Sequence, residues 1–404
     1  MSILYGDYFM PCVHQPILLQ PIFQHYAWGS RDGIAQVLGW ITKDEVLPVA
    51  ELWMGAHAGL PSPLAETIEG ITHLDALIDR YPEDILGPQH AELQNRLPYL
   101  FKVLSAGSAL SIQVHPSKQQ AEAGFAAENA QGKALTDPTR NYKDDNHKPE
   151  LLVALTEFHA MAGFRQPEAV AERLAQLSCA ALQAWVEPLQ RDGLSALEEL
   201  YAWSLALPAA DVRRIVDDAM AVLPDGSEFA WMAQLHQQYG ADMGIFFPLL
   251  LNVQVLQPGE AIYLDAGIPH AYLRGTGLEV MASSDNVLRG GLTSKYKDVA
   301  ELLRVTEIRA DSVQVQPGTT EQGVTRYDVP CTDFQLHLID LNESRTTLGT
   351  SGSAELLLVL EGEAEVADQT VQQGSIVLLP ACLGEVRLRG NARLAVVTTV
   401  VETL

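Results

Sequence analysis

Short apolar runs that end in turn-forming residues dominate the chain from Gln20 to about Phe164. The clearest are residues 99–104, 110–114 and 151–155. The same pattern returns after Ile245 and again from about Val313 onward. The later runs are residues 253–255, 261–264, 278–281, 354–360, 363–366, 375–379 and 395–401. Runs of this length, bounded by turns, predict strands, so we expect two regions of β-structure.

A different pattern occupies the chain between about Pro167 and Tyr239. Ala, Leu, Glu, Gln and Arg dominate there, and apolar residues recur at spacings of three and four. The spacing is clearest in Val170, Leu174, Leu177 and Ala181, and then in Leu197, Leu200, Trp203 and Leu207. This is the period of helices with one apolar face, so the sequence predicts two β domains with a helical insertion.

Two segments of the β regions share one skeleton. It occurs in residues 255–270 and 371–385. In each segment a Gly is followed, after five residues, by a turn residue. One residue later comes a small residue, and after two more residues a polar side chain. This spacing resembles the second motif of the cupin β-barrel, in which the final residue is a His that enters the barrel. That residue is His270 in the first segment, whereas Glu385 replaces it in the second and Cys382 stands at the turn glycine. We therefore expect metal ligands in the first barrel and no metal in the second.

The amino-acid composition and the net charge limit the kinds of partner that the protein can bind. Hydrophobic residues make up 47% of the 404 residues and charged residues 19%, which is typical of a globular protein. The net charge of −25 repels phosphate backbones and anionic membrane surfaces, so we expect no nucleic-acid partner. An anionic small substrate would need Lys and Arg side chains placed at its own site.

The cysteines and the apolar stretches indicate the cellular compartment of the protein. The cysteines are Cys12, Cys179, Cys331 and Cys382, too few and too scattered for a disulfide framework. Residues 1–20 lack a basic region before an apolar stretch and do not resemble a signal peptide. Pro and amide residues interrupt the longest charge-free apolar stretch, 243–259, so we expect no membrane span. We expect a cytoplasmic protein.

Polar and apolar residues alternate in the segment 110–115. Ser111, Gln113 and His115 alternate with apolar neighbours, and a period of two places these three side chains on one face of a strand. Two structures explain this pattern. The polar face can point into the interior of a barrel, or it can be the solvent-facing side of an ordinary antiparallel strand.

Glu150 begins a buried apolar run, which is a costly position for a carboxylate unless a cation is bound to it. Pro149 favours an extended chain at Lys148, so Lys148 and Glu150 share a face. The candidate ligands from three β segments are Gln113, His115, Glu150 and His270. Nitrogen and oxygen ligands of this kind suit a zinc site with an open position. Two alternatives stay open: His270 can hydrogen-bond within a core, and Glu150 can pair with Lys148.

Six short stretches between Tyr26 and Arg289 carry recognisable motifs. They are residues 26–29, 50–57, 110–116, 147–150, 265–271 and 284–289. Together and in this order they resemble the type I mannose-6-phosphate isomerases, the zinc-dependent phosphomannose isomerase family of the cupin superfamily. The helical insert and the C-terminal β region also lie where that family has them.

The resemblance implies a mainly β fold with two cupin-like jelly-roll barrels and an inserted α-helical domain. Residues 1–165 plus 246–317 would form the catalytic barrel, 166–245 the helical insert, and 318–404 a non-catalytic cupin-like barrel. A length of 404 residues agrees with two or three units of roughly 150 residues each.

The resemblance also implies the reaction and its cofactor. The family interconverts mannose 6-phosphate and fructose 6-phosphate by zinc-assisted proton transfer through a cis-enediolate. One zinc ion per chain would be held by Gln113, His115, Glu150 and His270. The catalytic arginine of the family falls on Arg289.

Moving a proton between C1 and C2 requires an electrophile, a base with a pKa near the working pH, and donors for the phosphate. Lys148 and Glu279 are the candidate proton carriers, and His147 is the candidate for ring opening. The candidate phosphate donors are Lys102, Ser111 and Lys295. Further pocket residues are Trp28, Glu51 and Asp285.

Two other functions stay open, a non-catalytic sugar-phosphate-binding cupin and a metal-dependent cupin oxygenase. Gln113 argues against the oxygenase, because cupin oxygenases use iron with mostly His ligands. The expected partner is a small sugar phosphate, and a chain of this size is expected to be a monomer. Gly290 and Ser294 depart from the family pattern, and we expect them to loosen the loop that holds Arg289 and Lys295.

Overall fold

The computed structural model describes residues 13–40, 47–310, 313–349 and 352–400. Helices make up 28% and strands 34% of the structure, so the fold is mixed α/β, broader than the mainly β class predicted. Cys12 and the outer ends of the predicted domains, at residues 1 and 404, lie outside the described residues.

The secondary structure follows the chain in this order. The strands in the described residues, β1 to β22, are Ile17–Leu19, Ile22–Gln24, Glu51–Met54, Ala56–His57, Leu60–Pro61, Pro63–Ile68, Ile71–His73, Tyr99–Ala106, Ile112–Val114, Glu150–Ala154, Phe158–Phe164, Leu251–Leu256, Ala261–Leu264, His270–Ala282, Leu288–Gly291, Thr319–Glu321, Val324–Arg326, Gln335–Gly349, Glu355–Val366, Gln369–Gln372, Ile376–Leu379 and Glu385–Thr398. The α-helices, α1 to α12, are Gly33–Val37, Leu74–Arg80, Pro82–Leu86, Lys118–Ala130, Pro167–Leu174, Ala180–Gln183, Val186–Asp192, Leu194–Ala206, Ala209–Met220, Ser227–Tyr239, Phe247–Leu250 and Val299–Val305. Short 3₁₀ helices are Met243–Phe246 and Ala381–Leu383.

Two large antiparallel sheets organise these strands. The first sheet has the order β12-β11-β14-β8-β3-β2, and β9, β10, β13 and β15 are attached to it through β14 and through one another. The second sheet has the order β16-β17-β18-β22-β19-β21-β1-β6-β7, with β20 on β19. Ile17 of β1 pairs with Leu378 of β21, so strands from near the start of the chain extend the C-terminal sheet. The predicted domain boundaries stay a prediction.

Apolar residues from both sheets form a shared core. Phe101 and Val103 of β8 are buried together with Leu356 and Leu358 of β19. Each side chain of this kind contributes about 1.5–3 kcal/mol when it is fully buried. Because successive residues of a strand point to opposite faces, this packing directs Lys102 of β8 toward the other side of the first sheet.

Helices α5 to α11 follow β11 and precede β12 in the chain. They pack on the outside of β9. Ile112 and Val114 of β9 are buried in one cluster with Leu197 and Tyr201 of α8. The helices therefore cover the apolar face of β9. His115, just after β9, is 1% exposed, so the alternation in this segment does not mark a solvent-facing strand.

The runs 354–360 and 363–366 form one strand, β19, and not two strands separated by a turn. The register of β19 against β22 shifts between Val359 and Glu361. Gly362 follows this bulge with φ of +76°, and a Cβ there would lie 2.1 Å from the Asn391 carbonyl oxygen. Glycine at this position lets the strand bend without ending.

Helix α4 interrupts the first β region, where the sequence predicted strands. Ser117 caps it: the Ser117 hydroxyl accepts from the Gln120 amide, and the Gln120 side chain accepts from the Ser117 amide. This capping box starts the helix immediately after His115 and Pro116, so it fixes where the β9 segment ends.

Glu355 is a buried carboxyl group near the boundary of the two sheets. It is 1% exposed, and its Oε2 atom has no hydrogen-bond partner. Burial raises the pKa of Glu355 from 4.5 to about 8. Between these two pH values the folded state keeps a proton that the unfolded state has lost, so stability falls as the pH rises through this range.

We expect Glu355→Gln, which is neutral at every pH, to stabilise the protein at pH 8 and to have little effect at pH 4.5. The gain should be at least about 1 kcal/mol, because one pKa unit corresponds to about 1.4 kcal/mol. Thermal unfolding of both proteins across this pH range measures it. A difference that does not change with pH would contradict the assignment.

The described part of the chain contains no helix with the length and apolar character that a membrane crossing requires.

Candidate metal and substrate site

Three ligand-type side chains converge on the first sheet. His115 follows β9, Glu150 begins β10 and His270 begins β14. His115 Nε2 lies 3.2 Å from Glu150 Oε1, and His270 Nε2 lies 3.5 Å from Glu150 Oε2. Their exposed fractions are 1%, 3% and 3%. The structure therefore brings three of the four predicted metal ligands into direct proximity.

Backbone carbonyls fix the orientation of both imidazoles. His115 Nδ1 lies 2.8 Å from the Asn286 carbonyl oxygen, and His270 Nδ1 lies 2.9 Å from the Ile268 carbonyl oxygen. Because a carbonyl only accepts, each Nδ1 carries the hydrogen, and a ring in its neutral form presents its Nε2 lone pair toward Glu150. Burial lowers the pKa of His115 to about 4, which keeps its ring neutral.

This arrangement is the donor set of a metal site. The Nε2 atom of His115 is buried and has no hydrogen-bond partner. A lone pair that faces a buried carboxylate is unfavourable unless a cation lies between them. Carbonyl groups that hold the second nitrogen of each His are the usual outer partners of metal-binding imidazoles.

Gln113 lies between His270 and Arg289 in the sheet. It is opposite His270 of β14 on one side and opposite Arg289 of β15 on the other. Residues opposite each other share a face, with Cβ atoms about 4.5–5.5 Å apart. By position, the Gln113 amide oxygen can therefore join the three-ligand cluster, and Arg289 occupies the adjacent place.

Lys148 is the charged neighbour of this cluster. Its Nζ atom lies 3.2 Å from Glu150 Oε1, so Glu150 forms an ion pair with Lys148 as well as lying beside the two His rings. Burial acts to raise the pKa of Glu150, but Lys148 and His115 outweigh it and hold that pKa well below its usual range. Glu150 is therefore ionised.

A second group of buried charges lies on strands β3, β8 and β14. Lys102 Nζ is 2.9 Å from Glu279 Oε2 and 3.5 Å from Glu51 Oε1. The Trp53 indole donates to Glu51 at 2.9 Å. Burial acts to lower the pKa of Lys102, but the effect of the two carboxylates is larger, so the pKa of Lys102 is raised. Burial raises the pKa of Glu279 despite Lys102, so Glu279 can take up a proton more readily than an ordinary carboxylate.

Aromatic rings and Asp285 lie close to these charges. Tyr26 and Trp28 stack with ring centroids 5.6 Å apart. Burial and then the charge of Glu51 raise the pKa of Tyr26, and Asp285 adds to this effect. Asp285 Oδ1 lies 3.3 Å from His57 Nε2, whose hydrogen bond lowers the pKa of Asp285. The structure thus brings Trp28, Glu51 and Asp285 to one region.

Arg289 lies in strand β15, which pairs with β9. Gly290 lies in the same strand and not in a loop as the sequence predicted. The register of β15 against β9 shifts between Arg289 and Gly291, so Gly290 is at a bulge in this pairing. Burial lowers the pKa of Arg289, and burial and then Arg289 lower the pKa of Lys295, so the two cations are neighbours. Lys295 is exposed and Ser111 is half-buried.

His147 does not belong to this cluster. Alternation along the extended chain places it on the opposite face from Lys148. His147 Nε2 lies 3.0 Å from Asp333 Oδ2, beside a cavity that Tyr263 and Cys331 also line. The structure therefore gives the predicted ring-opening residue a partner, Asp333, outside the ligand cluster.

Two residues of the site were missed by the sequence analysis. Tyr272 is two positions after His270 in β14, and its buried hydroxyl lacks a hydrogen-bond partner. Burial, Glu279 and Glu150 raise its pKa well above the usual value, which places it beside both carboxylates. The period of two from His270 could have indicated Tyr272.

Asn286 was also missed. It is fully buried, its backbone carbonyl holds His115, and its side-chain amide donates to the carbonyl oxygens of Asp144 and Asn146. It thereby connects a ligand to the loop that precedes Lys148. No local pattern could have indicated this role, because the contact with His115 joins residues 171 positions apart.

Family models match two parts of the chain, and known proteins match nearly all of it. The model of the phosphomannose isomerase type I catalytic domain matches residues 17–167, and the model of the mannose-6-phosphate isomerase cupin domain matches residues 324–399. The mannose-6-phosphate isomerase of Escherichia coli strain K12 is 39% identical over 380 residues, covering 92% of this chain and 96% of the relative. That of Bos taurus is 32% identical over 390 residues, covering 88% and 89%.

Solved structures agree with the sequence comparisons. A zinc-bound crystal structure of mannose 6-phosphate isomerase matches with a TM-score of 0.87 at 36% identity, covering 96% of this chain and 100% of that chain. The apo form from Salmonella typhimurium matches with a TM-score of 0.88 at 36% identity, covering 96% and 99%. The chain therefore belongs to the type I phosphomannose isomerase family.

Proposed function

We propose that this chain interconverts mannose 6-phosphate and fructose 6-phosphate. The observation that carries this proposal is the buried cluster of His115, Glu150 and His270, with Nε2 to carboxylate distances of 3.2 and 3.5 Å. Glu279 of β14 and Arg289 of β15 lie in strands near this cluster, and Lys148 lies just before β10. Relatives over nearly the full length carry the name of this isomerase.

The metal that fits this cluster is zinc, one ion per chain in the first sheet. Gln113, His115, Glu150 and His270 would hold it. The orphaned Nε2 atom of His115 and the ionised Glu150 supply the lone pairs that a divalent ion requires. When bound, zinc supplies a Lewis acid that polarises a sugar oxygen.

Glu279 and Lys148 are the groups that can move the proton between C1 and C2. A general base works best with a pKa near the working pH, and burial raises the pKa of Glu279 in that direction. Lys102, at 2.9 Å, fixes the orientation of the Glu279 carboxylate. Lys148 contacts Glu150 and keeps it ionised, so we favour Glu279 as the proton carrier.

Arg289 is suited to stabilise the negative charge that develops on the sugar oxygens, because it lies next to Gln113 on the ligand face. Ser111 and Lys295 remain the proposed phosphate donors. Lys102 is less suited to this task, because it is 5% exposed and two carboxylates already bind it. Trp28, Glu51 and Asp285 would line the sugar pocket.

The finer architecture is also a proposal. The two sheets would be two cupin-like jelly-roll barrels, with the catalytic barrel formed by residues 1–165 plus 246–317 and the helical insert by 166–245. A domain of residues 318–404 would be non-catalytic.

The proposed location is the cytoplasm. The free thiols of Cys179, Cys331 and Cys382 agree with this location. A monomer is the expected state.

Direct turnover tests the function. Purified protein with zinc is incubated with mannose 6-phosphate, and fructose 6-phosphate is measured by a coupled enzyme assay while oxygen consumption is recorded. We expect fructose 6-phosphate to form without oxygen uptake. Binding without turnover would favour a sugar-phosphate-binding cupin, and oxygen uptake would favour a cupin oxygenase.

His147→Ala should leave turnover within about 3-fold of the wild type. His147 lies before β10 and contacts Asp333, so its loss removes no group from the ligand cluster. Steady-state kinetics with mannose 6-phosphate check this, with metal content measured in parallel. If turnover instead fell by about 10²-fold at normal metal content, the scale of a lost general acid, His147 would return to the catalytic site.

A further inference from the structure

Another cluster of metal-ligating side chains lies outside the first sheet. His14 precedes β1, Asp84 lies in α3, and Cys382 lies in the 3₁₀ helix Ala381–Leu383. One ligand atom of each lies within 4.8 Å of the other two. His14 Nε2 and Asp84 Oδ1 are 3.3 Å apart.

We propose that His14, Asp84 and Cys382 bind a second divalent metal ion of the zinc type. Imidazole, carboxylate and thiolate are the ligand types that zinc takes in proteins. The thiolate selects against magnesium and calcium, which prefer oxygen. Cys382 releases its thiol proton on binding, and the thiolate and carboxylate together then balance the charge of the ion. Three protein ligands leave a position for water.

The surroundings of Cys382 are compatible with this site. Its Sγ atom lies 3.8 Å from the Val13 carbonyl oxygen, so the thiol lies against the segment that carries His14. Cys382 is a free cysteine. The side chains of His14 and Asp84 are 25% and 35% exposed, so an ion can reach them from solvent without unfolding.

The proposed ion would connect three parts of the fold. The segment before β1, helix α3 and the connection between β21 and β22 each supply one ligand. A metal that binds only the folded arrangement stabilises it, so occupancy would brace the start of the chain against the second sheet. This revises the expectation that the C-terminal region holds no metal: Cys382, at the turn position of the cupin-like skeleton, is itself the sulfur ligand.

Cobalt titration of the full-length protein tests the proposal, after the protein has been stripped of metal and given one equivalent of zinc to fill the site in the first sheet. Co²⁺ bound to a thiolate gives a near-ultraviolet charge-transfer band, whereas the ligands predicted in the first sheet contain no sulfur. We expect the band to saturate at one ion per chain and to be absent in Cys382→Ser. We expect His14→Ala to weaken Co²⁺ binding at least about 10-fold, because even outer partners of metal ligands contribute this much.

Cys331 serves as the matched control. Cys331→Ser removes a half-buried free thiol beside Asp333 and should keep the full band. Isomerase turnover should be unchanged in Cys382→Ser, which also shows that this variant is folded. No band in the wild type with excess Co²⁺, or a full band in Cys382→Ser, would overturn the proposal.

Discussion

Glu150→Ala should lose bound zinc and isomerase activity together. Glu150 supplies the carboxylate that lies between His115 and His270, and its removal takes away the anionic ligand of the proposed ion. It also leaves Lys148 buried without its 3.2 Å partner. Breaking a buried ion pair costs about 3–5 kcal/mol, so a lower melting temperature should accompany the loss of metal.

Elemental analysis, turnover and thermal unfolding measure these three effects of Glu150→Ala. Glu150→Gln, which keeps the shape of the side chain, serves as the second variant if the alanine protein does not fold. Glu157→Ala is the matched control, because Glu157 is exposed and contacts His159, which is not part of the ligand cluster. Normal zinc content in both Glu150 variants would show that the ligand assignment is wrong.

Arg289→Ala should lower kcat by about 10²- to 10³-fold with normal zinc content. Arg289 lies beside Gln113 on the opposite side from His270, where it can interact with charge that develops on the substrate without holding the metal. A preorganised charge stabiliser acts mainly in the transition state, so its loss affects kcat more than KM.

Steady-state kinetics and metal analysis of Arg289→Ala are compared with Arg274→Ala, which changes an exposed arginine of β14 near His159. The control should retain both kcat and metal. An Arg289→Ala protein with near-normal kcat and a raised KM would assign Arg289 to phosphate binding instead.

The ligand cluster could be predicted from sequence because each member sits in a locally readable pattern. His115 follows from alternation in the 110–115 segment, Glu150 from a carboxylate at the start of a buried run, and His270 from the spacing of a repeated skeleton. Alternation also separates His147 from Lys148, so the position of His147 on the far face was readable from the same rule that paired Lys148 with Glu150.

What could not be predicted depends on contacts between distant segments or on weak periodicity. Asn286 acts on His115 through its backbone carbonyl, which no side-chain pattern reports. Helix α4 has mostly alanines as its apolar residues, so its helical period is weak. Gly362 resembles a turn glycine in sequence, but the close approach of Asn391 makes it a bulge within β19.

Removal of the metal tests the central claim most directly. The protein is treated with a chelator until elemental analysis finds no transition metal, and conversion of mannose 6-phosphate to fructose 6-phosphate is then measured before and after zinc is added. Turnover should fall to background without metal and return when zinc is restored. Full turnover in a sample shown to be free of metal would contradict the assignment of a zinc-dependent isomerase.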